Sequence, residues 1–183
     1  LFFLVLLVLR YLVMILYSFL DHIESLYKKH EYKAPRFSEE SSLPMVSIVV
    51  PAYNEGIVIQ SALRALTKLD YPNFEVIVVD DGSTDDTYEK SMEVATHSSD
   101  VSIRVITKRN AGKAEALNTG MALARGEFIL NMDGDTKLSS NTLRVCIPHF
   151  NNPAIGAVAG NVKVINRENI WTRIQSLEYV EGL

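Results

Sequence analysis

The sequence has little cysteine, few glycines and prolines, and no excess of positive charge. The single cysteine, Cys146, excludes an internal disulfide and any zinc site built from several cysteines within these 183 residues. Nine glycines and six prolines are too few for a collagen-like or low-complexity chain. The 18 Lys and Arg residues are outnumbered by 22 Asp and Glu residues, for a net charge of −4. A protein that binds nucleic acid by neutralising phosphates needs the opposite balance, so we expect no nucleic-acid partner.

Long apolar runs are also absent, with one exception at the N-terminus. Residues 1–20 contain only Arg10 and Ser18 outside the apolar set. Twenty helical residues span about 30 Å, the thickness of a bilayer core, so this run predicts a transmembrane helix. It lacks the basic start, the shorter apolar stretch and the small-residue cleavage site of a signal peptide. A buried core helix is the alternative, although such helices rarely run this long without polar interruption.

Arg10 lies near the middle of this run, where a charge costs about 2.5–3.5 kcal/mol on insertion scales. We expect it to face other helices or a polar conduit, unless the span begins before Leu1 and ends earlier.

Four basic residues follow the run, Lys28, Lys29, Lys33 and Arg36. By the positive-inside rule they predict a cytoplasmic location for this flank and for everything after it. The predicted location is therefore the cell membrane, with the following domain in the cytoplasm.

Residues 21–44 contain Pro35, Pro44 and a Ser/Glu-rich stretch, and this composition predicts a linker. From Met45 onward, short β-branched runs alternate with segments of helical periodicity, which predicts a domain over residues 45–183. The chain starts with Leu1 rather than Met, so we expect it to be an N-terminal fragment of a longer protein.

The alternation predicts an α/β domain with a parallel-rich sheet and helices on both faces. The predicted strands are Val46–Val50, Phe74–Val79, Val101–Ile106, Glu127–Leu130 and Gly156–Val164. The predicted helices are Ile57–Leu69, Asp85–His97, Lys113–Ala124, Ser139–Phe150 and one from about Asn169. Ligands of such folds bind beyond the carboxyl ends of the strands.

Polar residues follow each of the first four strands, which predicts a site at that edge. Asp133 and Asp135 flank a single glycine, and paired carboxylates of this kind bind Mg²⁺ or Mn²⁺ together with substrate phosphates. Lys113 begins a helix, where a phosphate is favoured by the helix dipole. Tyr53 could stack on a flat base. In the adjacent pair Asp80–Asp81 we expect one side chain to face the ligand and the other to pack, and we interpret Ser83, Thr84 and Asp85 as caps of the next helix.

Other nucleotide motifs are absent. No G-x-G-x-x-G follows the first strand, so a dinucleotide site is unsupported. Gly112-Lys113 is not a Walker loop, because Thr107 occupies the position of the first glycine and Ala114 follows the lysine.

Four motifs, in this order, resemble those of inverting family 2 glycosyltransferases. They are Val46–Glu55 (VSIVVPAYNE), Val78–Asp85 (VVDDGSTD), Gly112–Asn118 (GKAEALN) and Asp133–Asp135 (DGD). The resemblance covers about Pro44 to Leu183. Val158–Asn161, Gln175–Tyr179 and the upstream span resemble the processive membrane synthases, in particular the branch that makes poly-N-acetylglucosamine, chitin oligosaccharides and hyaluronan.

The resemblance implies a Rossmann-like GT-A fold, a UDP-sugar donor, a saccharide or lipid-linked acceptor, and Mg²⁺ or Mn²⁺ as cofactor. The sugar implied is of the N-acetylglucosamine type, and the transfer inverts the anomeric centre. Carried over residue by residue, the implied metal ligand is Asp135. The implied donor-binding residues are Tyr53 and Asp81 at the uracil, Pro51, Ala52 and Glu55 lining the same pocket, Lys113 near the uridine or phosphates, and Asp133 near the ribose or sugar.

The catalytic base of the family is an aspartate in a Thr-Glu-Asp motif, and processive members add Gln-x-x-Arg-Trp. Neither motif occurs in these residues, so the base is expected beyond Leu183. The fragment is therefore expected to hold the donor and metal half of the site, to bind UDP weakly and to polymerise nothing.

Two other interpretations stay open at this point. Asp133 and Asp135 also fit a haloacid-dehalogenase-type phosphatase, in which the first aspartate is a nucleophile and the second an acid/base. That motif belongs on the first strand of its domain, whereas three βα units precede it here. A non-catalytic receiver-like module would use Asp80, Asp81 and Lys113 as an acidic pocket, and it gives Tyr53 no role.

Overall fold

The computed structural model describes residues 2–31 and 43–160 of the chain. Two compact units are present, Leu1–Arg36 and Phe37–Leu183. The first contains helix α1 (Phe2–Glu31). Its stretch Phe2–Glu24 is long and apolar enough to cross a membrane. All side chains from Phe2 to Leu20 are exposed, which disfavours a buried core helix among the described residues.

Helix α1 continues to Glu31, into the segment that the sequence predicted as a linker. Residues 21–31 contain neither glycine nor proline, and the first proline comes only at Pro35. Nothing in the local sequence therefore stops the helix at the end of the apolar run.

Within residues 43–160 of the second unit, four strands form a sheet with the order β3-β2-β1-β4. Its strands are β1 (Val46–Ala52), β2 (Phe74–Asp80), β3 (Ser102–Thr107) and β4 (Phe128–Asn131). All three pairings are parallel, with Val50 opposite Val78 and Val46 opposite Phe128. The helices are α2 (Ile59–Leu66), α3 (Thr87–His97), α4 (Lys113–Leu123) and α5 (Thr142–Cys146), followed by a 3-10 helix (Ile147–Asn151).

Alternate residues of the two central strands face two layers of helix. Ile48 and Val50 belong to the main core, which α2 completes with its buried positions Ile59, Ala62, Leu63 and Leu66. Those positions recur at the spacing of one helical face. On the opposite face, Ile77 and Val79 pack with Ala116 of α4. The α/β fold with a parallel sheet and helices on both faces is therefore confirmed.

A buried carboxylate lies at the amino-terminal edge of the sheet. Glu75, at the start of β2, is fully buried. Its side chain accepts hydrogen bonds from Ser47 Oγ at 2.8 Å, Arg104 Nη2 at 2.9 Å and Arg125 Nη2 at 2.7 Å. Burial opposes ionisation, but the hydrogen bonds and the two guanidinium groups outweigh it and lower the pKa of Glu75 to about 2. This cluster ties β1, β2, β3 and the turn before β4 together.

Two predicted elements of the C-terminal part differ from the structure. The predicted helix Ser139–Phe150 is a short α5 followed by the 3-10 helix, because Pro148 has no N–H to continue the α-helical pattern. Residues 156–160, the described part of the predicted strand Gly156–Val164, form no strand. They are mostly exposed and pair with none of the described strands. The rest of that strand and the helix predicted from Asn169 lie outside the described residues.

Candidate active site

The carboxyl ends of the four parallel strands bring the predicted site residues to one edge of the sheet. Pro51 and Ala52 are buried at the end of β1, and Tyr53 directly after them is half exposed. Asp81 follows β2, Lys113 begins α4 after β3, and Asp133 and Asp135 follow β4. Ligands of parallel α/β sheets bind at this edge.

The loop after β1 is held by the loop after β2. The backbone N–H of Asn54 donates to Ser83 Oγ at 2.9 Å, and the N–H of Thr84 donates to Asn54 Oδ1 at 2.8 Å. Asn54 has a positive φ of 54°, a conformation that asparagine tolerates better than most residues. The N–H of Glu55 donates to Thr87 Oγ1 at 2.8 Å. These contacts fix the backbone on either side of the Tyr53 and Glu55 side chains.

The interpretation of Ser83 and Thr84 as helix caps is wrong. Helix α3 begins at Thr87, and its N-cap residue, Asp86, makes no side-chain capping bond. Ser83 and Thr84 precede that start by too many residues and are engaged by Asn54 instead. Only Asp85 supports the helix start, since it accepts from the Thr87 N–H at 3.1 Å while also accepting from the Gly56 N–H at 3.0 Å.

Asp80 and Asp81 are both buried. Asp80 accepts from the Ser83 N–H at 3.2 Å and from Thr107 Oγ1 at 2.8 Å. The Thr107 hydroxyl belongs to β3 and the Ser83 amide to the loop after β2, so Asp80 links the end of β2 to both. Asp80 is thus the member of the pair that packs, as expected, and a role of Asp81 toward a ligand stays a prediction.

Asp81 anchors the loop after β3. Its carboxylate is 2.6 Å from Lys108 Nζ and accepts from the N–H groups of Ala111 at 3.1 Å and Gly112 at 2.7 Å. Burial by itself raises the pKa of Asp81, but these hydrogen bonds and the Lys108 charge outweigh it and lower the pKa. The loop that Asp81 holds leads directly into Lys113.

Lys113 lies against the acidic loop after β4. Its Nζ is 2.6 Å from Asp133 Oδ1, and both side chains are more than half exposed. Asp135 is exposed as well, and its carboxylate accepts a long hydrogen bond from Thr136 Oγ1 at 3.4 Å. At the N-terminus of α4 an ammonium group therefore pairs with the carboxylate of Asp133, and the accessible carboxylate of Asp135 lies two residues farther along the same loop.

Glu55 packs against the same loop. Its Oε2 atom is buried and has no hydrogen-bond partner. A Cβ placed on Gly134 would lie 1.8 Å from that oxygen, so the carboxylate packs directly on the glycine backbone. Burial raises the pKa of Glu55, and the negative charges of Asp135 and Asp133 raise it further, against the opposing effect of Lys113.

This donor set fits a hard divalent cation. Asp133, Asp135 and Glu55 present carboxylate oxygens only, and an orphaned buried oxygen is among them. Within residues 2–31 and 43–160 no three or more His, Cys, Asp or Glu side chains are arranged to hold a metal by themselves. Magnesium and manganese usually take one or two carboxylates and complete their shell with water and substrate phosphates. The arrangement suits a cation that binds together with a diphosphate.

Sequence reasoning missed two features of this edge. Lys108 received no role, although it forms the ion pair that neutralises Asp81. The contact between Glu55 and Gly134 joins residues far apart in sequence, and the only sequence signal for it is the glycine between the two aspartates.

Comparison with known proteins matches most of this chain to one family. The family model described as "Glycosyl transferase family 2" matches residues 47–181. The chain is 34% identical over 143 residues to a poly-β-1,6-N-acetyl-D-glucosamine synthase of Staphylococcus epidermidis, covering 78% of this chain and 34% of that protein. It is 37% identical over 143 residues to a β-monoglucosyldiacylglycerol synthase of Nostoc sp., covering 76% and 31%. The chain thus spans about a third of the length of these curated relatives.

Two solved structures share the fold. One is the mannosyltransferase PcManGT of Pyrobaculum calidifontis in complex with GDP-Man and Mn²⁺, with a TM-score of 0.66 and 30% identity over 79% of this chain and 43% of that one. The other is residues 1–349 of TarS from S. aureus in complex with UDP-GlcNAc, with a TM-score of 0.53 and 27% identity over 67% and 41%.

Proposed function

The chain belongs to glycosyl transferase family 2 and has the GT-A fold, and we propose that it is the donor-binding part of a membrane-anchored, metal-dependent enzyme. The enzyme transfers a sugar of the N-acetylglucosamine type from a UDP-sugar to a growing polysaccharide or another acceptor, with inversion. The observation that carries the proposal is the meeting of Lys113, Asp133, Asp135 and Glu55 at the carboxyl edge of the sheet.

The diphosphate of the donor is assigned to the space around Lys113 and Asp135. Lys113 supplies a positive charge at a helix N-terminus, which also favours phosphate oxygens. Asp135 would hold Mg²⁺ or Mn²⁺, with Asp133 close to the ribose or the sugar. A bound divalent cation stabilises the negative charge that the UDP leaving group gains as the sugar C1–O bond breaks. Mn²⁺ in the PcManGT structure supports this choice of cofactor.

The base of the nucleotide is assigned to the loop after β1. Tyr53 is half exposed and directly follows the buried Pro51 and Ala52, and uracil is assigned to a stacking position on its ring. Asp81 is 3% exposed, so its contribution to the uracil pocket depends on the position of the loop that it holds. UDP rather than GDP is proposed because the S. epidermidis relative is a poly-N-acetylglucosamine synthase and TarS was crystallised with UDP-GlcNAc.

The membrane anchor of the proposal is α1. Its length and apolar composition suit a bilayer span, and the basic residues after it favour a cytoplasmic location for the transferase domain. A membrane location suits an acceptor that is lipid-linked or is extruded as it grows. The deprotonation of the acceptor hydroxyl is assigned to a residue outside 43–160, as the family resemblance implies.

The geometry gives no support to the alternative functions. A receiver-like pocket needs accessible Asp80 and Asp81 beside Lys113, but both aspartates are buried and hydrogen-bonded, and Lys113 pairs with Asp133. A haloacid-dehalogenase-type nucleophile belongs on the first strand of its domain, whereas Asp133 follows β4.

Calorimetric titration of UDP into the whole chain in detergent, with and without Mn²⁺, tests the proposal. We expect UDP to bind, GDP to bind more weakly, and Mn²⁺ to increase the affinity. Asp135→Ala should abolish the Mn²⁺ effect, while Asp100→Ala, which removes an exposed aspartate before β3, should leave it unchanged. A folded chain that binds neither nucleotide, or an Asp135→Ala variant that keeps the full Mn²⁺ effect, contradicts the assignment.

A further inference from the structure

Between Phe2 and Asp21, the polar residues of α1 all lie on one side of the helix. At 3.6 residues per turn, Tyr17 and Asp21 lie within about 20° of Arg10 around the helix axis, Ser18 about 80° away and Tyr11 about 100° away. These five are the only residues between Phe2 and Asp21 that carry a side-chain nitrogen or oxygen. The remaining two thirds of the circumference carries only apolar side chains. We call the face formed by Arg10, Tyr11, Tyr17, Ser18 and Asp21 the polar stripe.

Arg10 has no source of neutralisation within its own helix. The residues three and four positions away are Leu6, Leu7, Val13 and Met14. All four are apolar, so none of them can neutralise the guanidinium charge. Within residues 2–31 and 43–160, Arg10 forms no hydrogen bond or ion pair, and its side chain is exposed. In the span that we propose, the charge therefore needs a partner from outside α1.

The depth of Arg10 follows from the C-terminal end of the apolar run. Asp21 and His22 are the first consecutive polar residues, and Arg10 precedes Asp21 by about 16 Å of helix. That distance is about half the thickness of a bilayer core, so the Arg10 guanidinium lies far from the water and headgroups at this end of the span. The partner group must therefore lie near the bilayer midplane.

From these observations we propose that the polar stripe packs against another transmembrane helix that carries a carboxylate near the bilayer midplane. This inference rests on the membrane location in the proposed function. A carboxylate matches the guanidinium in charge and in its paired hydrogen bonds, and ionisable groups inside membranes pair with one another. Tyr11, Tyr17 and Ser18 supply further hydroxyl groups along the same face, which are the kind that hydrogen-bond across helices.

A second copy of α1 does not satisfy this requirement. Two copies in the same membrane share one orientation, so packing stripe against stripe places Arg10 opposite Arg10. Like charges in that environment repel, and Asp21 of the second copy lies about 16 Å away along the axis. The charge pattern therefore favours a partner helix other than a second copy of α1.

The test uses the whole chain in phosphatidylcholine vesicles and three synthetic probes. Each probe is a polyleucine transmembrane helix whose central residue is Glu, Gln or Leu, and association is measured by energy transfer between dyes on the chain and on the probe. We expect the Glu probe to associate about threefold to tenfold more tightly than the Leu probe, with the Gln probe between them. Arg10→Leu should remove this preference, and Arg10→Lys should keep part of it.

A matched variant tests whether association depends on the position of the charge on the polar stripe or only on the presence of the charge in the helix. Arg10→Leu combined with Leu12→Arg moves the same charge to the opposite face at nearly the same depth, and it should bind the Glu probe more weakly than the natural chain. Equal binding of all three probes by a chain that resists carbonate extraction overturns the inference while leaving the membrane anchor intact. Extraction of the chain by carbonate overturns the membrane anchor itself, and the inference with it.

Discussion

The buried Glu75 gives the sharpest prediction about the stability of the fold. The pKa of its carboxyl is lowered from 4.5 to about 2 by the arginines and hydrogen bonds around it. At about 1.4 kcal/mol per pKa unit, the ionised form contributes about 3 kcal/mol to the free energy of unfolding. Because the pKa is lower in the folded chain, this contribution is present above about pH 4.5 and is lost as the pH falls toward 2.

We expect Glu75→Gln to lower the free energy of unfolding by about 3 kcal/mol at pH 7, since it leaves Arg104 and Arg125 without their shared carboxylate. The difference between the natural chain and the variant should shrink as the pH falls from about 4.5 to 2. Urea unfolding followed by circular dichroism in one detergent, repeated across this pH range, measures both effects. Glu127→Gln, which neutralises an exposed glutamate before β4, is the control.

Two results would refute this reasoning. One is a Glu75→Gln variant that unfolds at the same urea concentration as the Glu127→Gln control at pH 7. The other is a stability difference that persists unchanged at pH 2, because the stabilisation would then come from packing and not from the charge of Glu75.

Three further predictions concern close contacts in the second unit. Gly126→Ala places a Cβ 2.5 Å from the backbone nitrogen of Ser47, so it should cost about 2 kcal/mol of unfolding free energy; an unchanged melting temperature contradicts this contact. Asp81→Asn should cost about 2 kcal/mol and make the loop after β3 easier to cleave by a protease, and equal cleavage rates would show that Asp81 does not hold it. Gly134→Ala places a Cβ 1.8 Å from Glu55 Oε2, the end of a flexible side chain. It should therefore leave stability nearly unchanged while weakening Mn²⁺-dependent UDP binding. Unchanged binding would show that Glu55 takes no part in the site.

Much of the fold follows from local patterns that the sequence displays. Continuous apolar runs mark β1 and β2 because both of their faces are covered, and the spacing of Ile59, Ala62, Leu63 and Leu66 marks α2. The end of α5 was missed because Pro148 interrupts a segment whose apolar spacing otherwise continues.

The candidate site was predictable in outline because parallel strands bring their carboxyl ends to one edge. Its internal contacts were not, since each joins loops distant in sequence. Whether Asp81 faces a ligand or a loop depends on where Lys108 and Gly112 lie. Likewise, the pairing of Glu75 with Arg125 depends on the path of the chain between β2 and β4, for which no local pattern exists.

The most direct test of the central claim is a crystal structure of the chain grown with UDP-N-acetylglucosamine and Mn²⁺, with the metal located by its anomalous signal. We expect a manganese peak in contact with the Asp135 carboxylate and the diphosphate, with Lys113 on a phosphate oxygen and uracil against Tyr53. A manganese peak away from Asp135, or a nucleotide bound elsewhere, such as the cleft lined by Arg64 and His97, would contradict it.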